Sequence, residues 1–220
     1  MPSHTEENYL KAIYKLADAE PDAPGVSTNR IAAALETRPA SVTDMLRRLA
    51  DKGLLAYEKY RGVNLTEDGR RCALLTIRKH RLWEVFLVKE LGFDWDEVHE
   101  VAEELEHVQS PLLMRRLDAF LGFPVSDPHG DPIPGEDGSV QRAAHRLLAE
   151  LAIGELGTVA AVKNTQPAFL QYLSKVGLQL GSQLEVLDKV AFDNSFELRV
   201  NQERTVLISA EVSRNLFVTA

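Results

Sequence analysis

Residues 93–111 are rich in side chains that bind cations: they include seven acids and two histidines, with no lysine or arginine. Valine, alanine and leucine recur there at helical spacing, which predicts one amphipathic helix over the whole stretch. On such a helix His99, Glu103, Glu106 and His107 would stack in one column beside the apolar face. Carboxylate and imidazole groups together suit Mn, Fe or Zn. The alternative interpretation is an acidic face that only meets solvent.

Two further groups of residues could bind a cation. His80 and Glu84 lie four residues apart in a predicted helix over 70–91, a spacing that serves a chelating pair as well as a simple hydrogen-bonded pair. Asp127 and His129 lie in the Pro- and Gly-rich segment 126–138, which is predicted to be a loop. They are additional candidate ligands.

The composition narrows the class of protein. The chain has 220 residues, a formal net charge of −8 and a hydrophobic fraction of 45%, which allows a packed core. Its one cysteine, Cys72, excludes an internal disulfide framework and a Cys-based zinc knuckle. No apolar run approaches the roughly 20 residues of a membrane helix, and the N-terminus lacks a signal-peptide core. We therefore expect a soluble cytoplasmic protein without a membrane partner.

The N-terminal part of the chain has the pattern of a winged helix-turn-helix. Thr5 is the predicted N-cap of the first helix, Ser27 caps the second, Pro39 occupies the first position of the third, and Gly53 follows its end. Alternating β-favouring residues around Tyr60, Arg61 and Gly62 then predict a hairpin. The predicted helices cover 5–19, 28–36 and 39–53, and the predicted strands cover 55–59 and 63–66.

This N-terminal pattern predicts binding to double-stranded DNA. Residues 25–73 carry nine basic and six acidic side chains, so the segment is +3 although the chain is −8. In a winged helix the third helix enters the major groove. The candidate base-edge contacts are Ser41, Thr43 and Asp44, and the candidate phosphate contacts are Thr37, Arg38, Arg47 and Arg48. Arg61 at the wing tip could contact a phosphate or the minor groove, and Pro39 is included among the candidate DNA-binding residues.

The remaining chain is helical first and β-rich later. Helices are predicted over 112–123 and near 139–150, and from residue 153 short alternating runs predict a small β-barrel with one helical turn at 167–177. The expected fold is mainly α with a small β domain. Its expected divisions are a winged-helix domain (1–73), a helical dimerisation and metal-binding domain (74–150) and an SH3-like domain (151–220).

Seven motifs resemble the diphtheria toxin repressor family, including its manganese-transport-regulator branch. The resemblance implies a cytoplasmic homodimer that represses metal-uptake genes when metal is bound, with a C-terminal SH3-like (FeoA-like) domain. The motifs are ENYLKAIYKL (7–16), SVTDMLRRLADKGLL (41–55), YEKYRGVNLTEDG (57–69), RKHRLWE (78–84), VHEVAEELEHV (98–108), PHGDPIPG (128–135) and GSQLEV (181–186).

Two separate metal sites per subunit follow from the resemblance. The main site would use Asn8, Glu103, Glu106 and His107, and the second would use His80, Glu84 and His99, with Asp127 and His129 in some members. The iron-sensing branch has Met in place of Asn8 and Cys in place of Glu103, whereas the short manganese sensors have Asp and Glu there.

Two departures from the family pattern affect the expected sites. Lys11 replaces an acid that holds a paired second ion in the short manganese sensors, and the segment NTQPAF (164–169) does not match the C-terminal ligands of the iron branch. Because the implied ligands are all oxygen or nitrogen atoms, manganese is expected, with iron as the alternative.

Two other classes of protein compete with this interpretation. Glu104 and His107 form one Glu-x-x-His pair, as in carboxylate-bridged dimetal oxidases, but those enzymes need a second pair, which the sequence lacks. A winged-helix regulator that responds to an organic ligand or a protein is the third interpretation. The resemblance favours a non-enzymatic regulator without a small-molecule substrate.

Overall fold

The computed structural model describes residues 2–58, 62–141 and 143–219, and these form eight α-helices and eight strands. The helices are α1 (His4–Ala19), α2 (Thr28–Ala34), α3 (Pro39–Asp51), α4 (Glu67–Leu91), α5 (Val98–Leu105), α6 (Pro111–Phe120), α7 (Pro167–Val176) and α8 (Ala210–Ser213). The strands are β1 (Leu55–Glu58), β2 (Gly62–Leu65), β3 (Arg146–Leu147), β4 (Leu156–Val162), β5 (Gln183–Lys189), β6 (Phe196–Val200), β7 (Arg204–Ile208) and β8 (Leu216–Thr219).

These elements group into two compact units. The first contains Met1–Arg81, Glu103–Met114 and Pro134–Val140, and the second contains Leu82–Ala102, Arg115–Ile133 and Gln141–Ala220. Each unit has its own core of buried apolar side chains. Within the described ranges no helix combines the length and the apolar character needed to cross a membrane.

The first unit confirms the predicted winged helix. The α3 helix begins at Pro39, and it buries Val42, Leu46 and Leu49 on one face, which leaves its other faces accessible. Ser27 caps α2 as predicted, through a bond that its side chain accepts from the Arg30 N–H.

Helix α1 begins one residue earlier than predicted and is capped by Ser3, so the cap predicted at Thr5 is wrong. The Ser3 side chain accepts a hydrogen bond from the Glu6 N–H, and the Glu6 carboxylate accepts one from the Ser3 N–H at 2.8 Å. This capping box satisfies two backbone donors at once, which a cap at Thr5 would not do.

Strands β1 and β2 form the antiparallel hairpin that was predicted, with Leu55 opposite Leu65 and Glu58 opposite Gly62. Gly62 has a φ of +99°, and a Cβ atom there would lie 2.4 Å from the Val26 carbonyl oxygen. Glycine is therefore required where the hairpin meets the chain at Val26, which forms an isolated bridge with Val63. The predicted wing-tip residue Arg61 lies outside the described residues.

The single helix predicted over 93–111 is wrong in extent, because α5 contains only Val98–Leu105. Before α5, the indole N–H of Trp95 donates to Ser174 Oγ, and the Asp96 carboxylate accepts from Gln171. These bonds hold the preceding segment against α7 in the second unit. After Leu105 the chain forms a turn at Glu106 and His107. These two residues therefore do not continue a helical column.

The second unit contains a six-stranded antiparallel sheet in the order β3-β8-β4-β5-β6-β7. The predicted barrel is therefore corrected to an open sheet: β3 and β7 end the order, and no pairing among the described strands closes it. The helix predicted near 139–150 is also wrong. Arg146 and Leu147 instead pair with β8, and Leu148 and Leu151 are buried in the core of the sheet.

Candidate metal centres and nucleic-acid interface

The first candidate centre is the predicted set Asn8, Glu103, Glu106 and His107, all of which belong to the first unit. Glu106 has no exposed side-chain area, and its Oε1 atom lies 3.8 Å from His107 Nε2. The Lys11 ammonium lies 2.6 Å from Glu103 Oε1 and 2.7 and 2.8 Å from the two oxygens of Glu106. Helix α1 of the winged helix thus meets the segment around Glu106 through ionic contacts.

Asn8, a predicted ligand, has a side-chain oxygen that is missing a partner. Its Oδ1 is buried and accepts no hydrogen bond in the described structure. An unpaired buried carbonyl oxygen costs free energy, and a bound cation would remove that cost. The neutral oxygen, two carboxylates and one imidazole form a ligand set that fits a divalent ion.

Glu7 orients His107, and sequence reasoning missed this residue. Its Oε2 atom lies 2.7 Å from His107 Nδ1 and its Oε1 accepts from Gln109 Nε2 at 3.0 Å. Because an ionised carboxylate can only accept, Nδ1 carries the proton and Nε2 presents its lone pair beside Glu106. The sequence signal that could have identified Glu7 is its position directly before Asn8 in the motif at 7–16.

The environment of Glu7 favours its ionised form. Burial by itself raises the pKa of Glu7, but the hydrogen bonds from His107 and Gln109 and the charge of Lys79 outweigh burial. The pKa of this carboxyl is therefore lowered below its usual range.

His80, which was predicted for the second site, instead contacts a residue of the first: its Nδ1 atom lies 2.7 Å from Glu106 Oε2.

The second centre comprises Glu84, Asp127 and His129 in the second unit. One oxygen from each acid and a ring nitrogen of His129 all lie within 4.8 Å of one another, and all three residues are buried. His99 also approaches Glu84, and its Nδ1 atom lies 3.5 Å from Glu84 Oε1. The structure therefore brings together the three predicted residues from helix α4 and the loop at 126–138.

The loop that carries Asp127 and His129 is held rigidly against the sheet. The Val162 N–H donates to the His129 carbonyl at 2.9 Å, and Asp127 Oδ1 accepts from the N–H groups of His129 and Asp131. His129 Nε2 donates to the Trp95 carbonyl at 2.7 Å. A carbonyl only accepts, so Nδ1 keeps its lone pair, and it lies 3.9 Å from Glu84 Oε2. The geometry suits a metal ligand.

The predicted DNA-contact residues lie at the accessible start of α3 and along its exposed faces. Arg47 and Asp44 form an ion pair at 3.7 Å, with both side chains 70% exposed. Thr43 is half-buried, and its hydroxyl donates to the Pro39 carbonyl of its own helix at 3.0 Å. The exposed candidates are Arg38, Pro39, Ser41, Asp44, Arg47 and Arg48, and Thr37 is half-buried.

Three parts of the chain match known protein families. Residues 1–63 match the iron dependent repressor N-terminal DNA binding domain, and 66–135 match the iron dependent repressor metal binding and dimerisation domain. Residues 146–220 match the FeoA domain. Fold and centres together define a winged-helix protein whose helical part carries carboxylate–imidazole clusters.

Individual relatives make the assignment specific. The diphtheria toxin repressor of Corynebacterium diphtheriae is 32% identical over 200 residues, which cover 84% of this chain and 85% of that protein. The chain belongs to the iron-dependent repressor family that includes the diphtheria toxin repressor.

Two other similarities point to different metals. The iron-dependent repressor IdeR of Mycobacterium tuberculosis is 40% identical over 131 residues, which are 60% of this chain and 56% of that protein, so the match spans little more than half of that relative. A solved structure of a manganese-dependent transcriptional repressor in complex with manganese is 40% identical, with a TM-score of 0.86. That comparison covers 97% of this chain and 98% of the other.

Proposed function

We propose that this protein is a metal-dependent transcriptional repressor that binds operator DNA as a homodimer, and that its physiological metal is Mn²⁺. The observation that carries the proposal is the first centre, where Asn8 of the winged helix has an unpartnered buried side-chain oxygen and Glu106 Oε1 lies 3.8 Å from His107 Nε2. A divalent ion there would supply the positive charge that these ligands share.

The ligand chemistry supports manganese. The ligand atoms of both centres are oxygen and imidazole nitrogen, without a thiolate or thioether that would favour softer metals. Iron is the second candidate, because the relatives found by sequence include iron-dependent repressors. Each subunit would hold two ions, one in each centre.

The residues of the first centre link metal binding to the DNA-binding helices. Asn8 belongs to α1, and Glu106 and His107 follow α5, so shared ligands would fix α1 against that segment. Lys52, directly after α3, bonds Glu6 of α1, which connects α3 to the same helix. Metal and DNA would then stabilise one conformation, with a coupling of typically ~1–3 kcal/mol.

The homodimer is supported by the distribution of exposed apolar side chains. Several of the large hydrophobic residues that are exposed to solvent lie between positions 112 and 125, within the range 66–135 that matches the metal binding and dimerisation domain. Exposed apolar side chains that are concentrated in this way commonly mark a protein interface. The residues are Leu112 (54% exposed), Leu113 (41%), Phe120 (65%), Phe123 (68%) and Val125 (82%).

The proposed domains are 1–73, 74–150 and 151–220. The protein would act in the cytoplasm, where the chromosome is. In the dimer the two α3 helices would read half-sites about one helical turn apart. The dimetal-oxidase alternative is set aside, because the relatives that this chain matches are repressors.

The test is fluorescence anisotropy on a labelled duplex from upstream of a manganese-transporter gene in the source genome. We expect tight binding with Mn²⁺, none with chelator, no binding to a scrambled duplex, and two Mn²⁺ per chain by calorimetry. Glu106→Gln should lose the metal response and remain dimeric, whereas Glu104→Gln, an exposed acid on the same segment, should keep it. DNA binding that ignores metal would refute the proposal.

A further inference from the structure

Lys11 holds an ammonium group on the carboxylates that would bind the metal. Its Nζ contacts both oxygens of Glu106, at 2.7 and 2.8 Å, and Glu103 Oε1 at 2.6 Å. The Lys11 side chain is 7% exposed and that of Glu106 is 0% exposed, so this ion pair lies in the protein interior. Glu103 and Glu106 are the charged ligands of the first centre.

We propose that Lys11 is an internal cation that neutralises the first centre in the metal-free protein, and that it must leave these carboxylates when a divalent ion binds. Lys11 would thereby set the metal concentration at which the repressor responds. The inference rests on the proposed function, because it concerns the regulation of the same centre.

Electrostatics argues against both cations sharing the centre. Lys11 Nζ is within hydrogen-bonding distance of both Glu106 oxygens, and His80 Nδ1 contacts one of them. A doubly charged ion bound to Glu106 would meet the ammonium at short range in a poorly solvated site, where like charges repel strongly. The flexible four-carbon stem of lysine allows the ammonium to move aside without moving the helix.

The same arrangement favours the binding of divalent over monovalent ions. A monovalent ion has the same charge as the ammonium, which is tethered to α1 and so has a high effective concentration at the carboxylates. A divalent ion has twice the charge and can displace it. Without metal, Lys11 keeps the buried Glu106 compensated, and an uncompensated buried carboxylate would be strongly destabilising.

The experiment compares Lys11→Met with Lys15→Met, which changes an exposed lysine one turn later on α1. Both variants remove one positive charge, but only the first removes the ion pair with Glu103 and Glu106. Mn²⁺ affinity is measured from the electron paramagnetic resonance signal of free Mn²⁺, and Tm with and without metal is measured by circular dichroism.

We expect Lys11→Met to bind Mn²⁺ about tenfold more tightly or better, which is about 1.4 kcal/mol. Its metal-free Tm should fall below that of the wild type, so that added Mn²⁺ raises its Tm by more. Lys15→Met should change neither quantity appreciably. If Lys11→Met folds only with metal, it is prepared with Mn²⁺ and the rate of release to a chelator is measured; release should be slower than from the wild type.

Equal or weaker Mn²⁺ binding by Lys11→Met, or unchanged or faster release, would overturn the inference, because Lys11 would then be supporting the bound state. That outcome leaves the proposed function intact when the wild type binds Mn²⁺ and DNA together. A wild-type chain that binds no divalent ion would instead overturn the proposed function, and this inference with it.

Discussion

Replacing Glu7 by Gln tests whether the residues around the ligands determine metal affinity. The Glu7 carboxylate accepts from His107 Nδ1 at 2.7 Å and from Gln109 at 3.0 Å, and Lys79 Nζ lies 3.4 Å from it. Glutamine has the same shape and keeps one oxygen that can accept from His107. It removes the negative charge that raises the basicity of the imidazole and fixes its tautomer.

The expected decrease in Mn²⁺ affinity follows from these hydrogen bonds. Substituting a residue that orients a metal-ligating histidine typically weakens binding about 10–100-fold, or roughly 1.4–2.8 kcal/mol. Because Glu7→Gln retains an acceptor, we expect the lower end of this range, about tenfold. Binding of DNA at saturating Mn²⁺ should be nearly unchanged, since Glu7 is not itself a proposed ligand.

Calorimetry with Mn²⁺ measures the affinity, and nitrogen NMR of the histidines in the metal-free protein reports which nitrogen of His107 carries the proton. The matched control is Gln109→Ala, which removes the hydrogen bond from a neutral donor to Glu7 and leaves the bond between Glu7 and His107. We expect it to weaken Mn²⁺ binding less than about threefold, because His107 keeps its carboxylate partner. An unchanged affinity and tautomer in Glu7→Gln would refute the orienting role.

Two further predictions concern the DNA interface and the pH dependence of stability. Arg47→Ala should weaken Mn²⁺-dependent binding of every duplex sequence, and it should reduce the slope of log affinity against log salt concentration by about one unit for each phosphate that Arg47 neutralises. Arg214→Ala, which changes an exposed arginine of the second unit, should do neither. Anisotropy titrations at several salt concentrations measure both effects. The hydrogen bond from the Ala152 N–H and the Arg146 guanidinium lower the pKa of Glu155 below its ordinary value of 4.5. The stability that ionised Glu155 gives the fold is therefore present above that value and is lost as pH falls through the lowered pKa. The Tm of the wild type should therefore fall more steeply than that of Glu155→Gln below about pH 4.5, and parallel curves would contradict the assignment.

The sequence predicted the winged helix well because its signals are local. Pro39 at the start of α3 and the cap at Ser27 act within a few residues of their own position, and the structure confirms them. The alternating pattern also placed strands β4 to β8 of the C-terminal sheet, although it missed β3. Its closure into a barrel was wrong, since closure depends on how the two end strands lie in space rather than on alternation.

The centres were predicted as residue types but not as geometry. The expected helical column failed because Glu106 and His107 lie beyond the end of α5, where Lys11 and Glu7 contact them across more than 90 positions of sequence. Spacing rules cannot find such partners. The cluster of Glu84 with Asp127 and His129 likewise depends on a loop that the sheet holds, which helical periodicity does not describe.

The N-terminal turn of α1 has a consequence for how the protein fluctuates. Ser3 and Glu6 close this turn, and Lys52 at the end of α3 bonds both oxygens of Glu6, at 2.7 and 2.8 Å. Helix ends ordinarily fray, with backbone amides exchanging at small free-energy cost. Here fraying would carry Glu7 away from His107 and would also break the bond between Glu6 and Lys52. We therefore expect amide exchange in the first turn of α1 to slow when metal binds, and also to slow when DNA holds α3 in place.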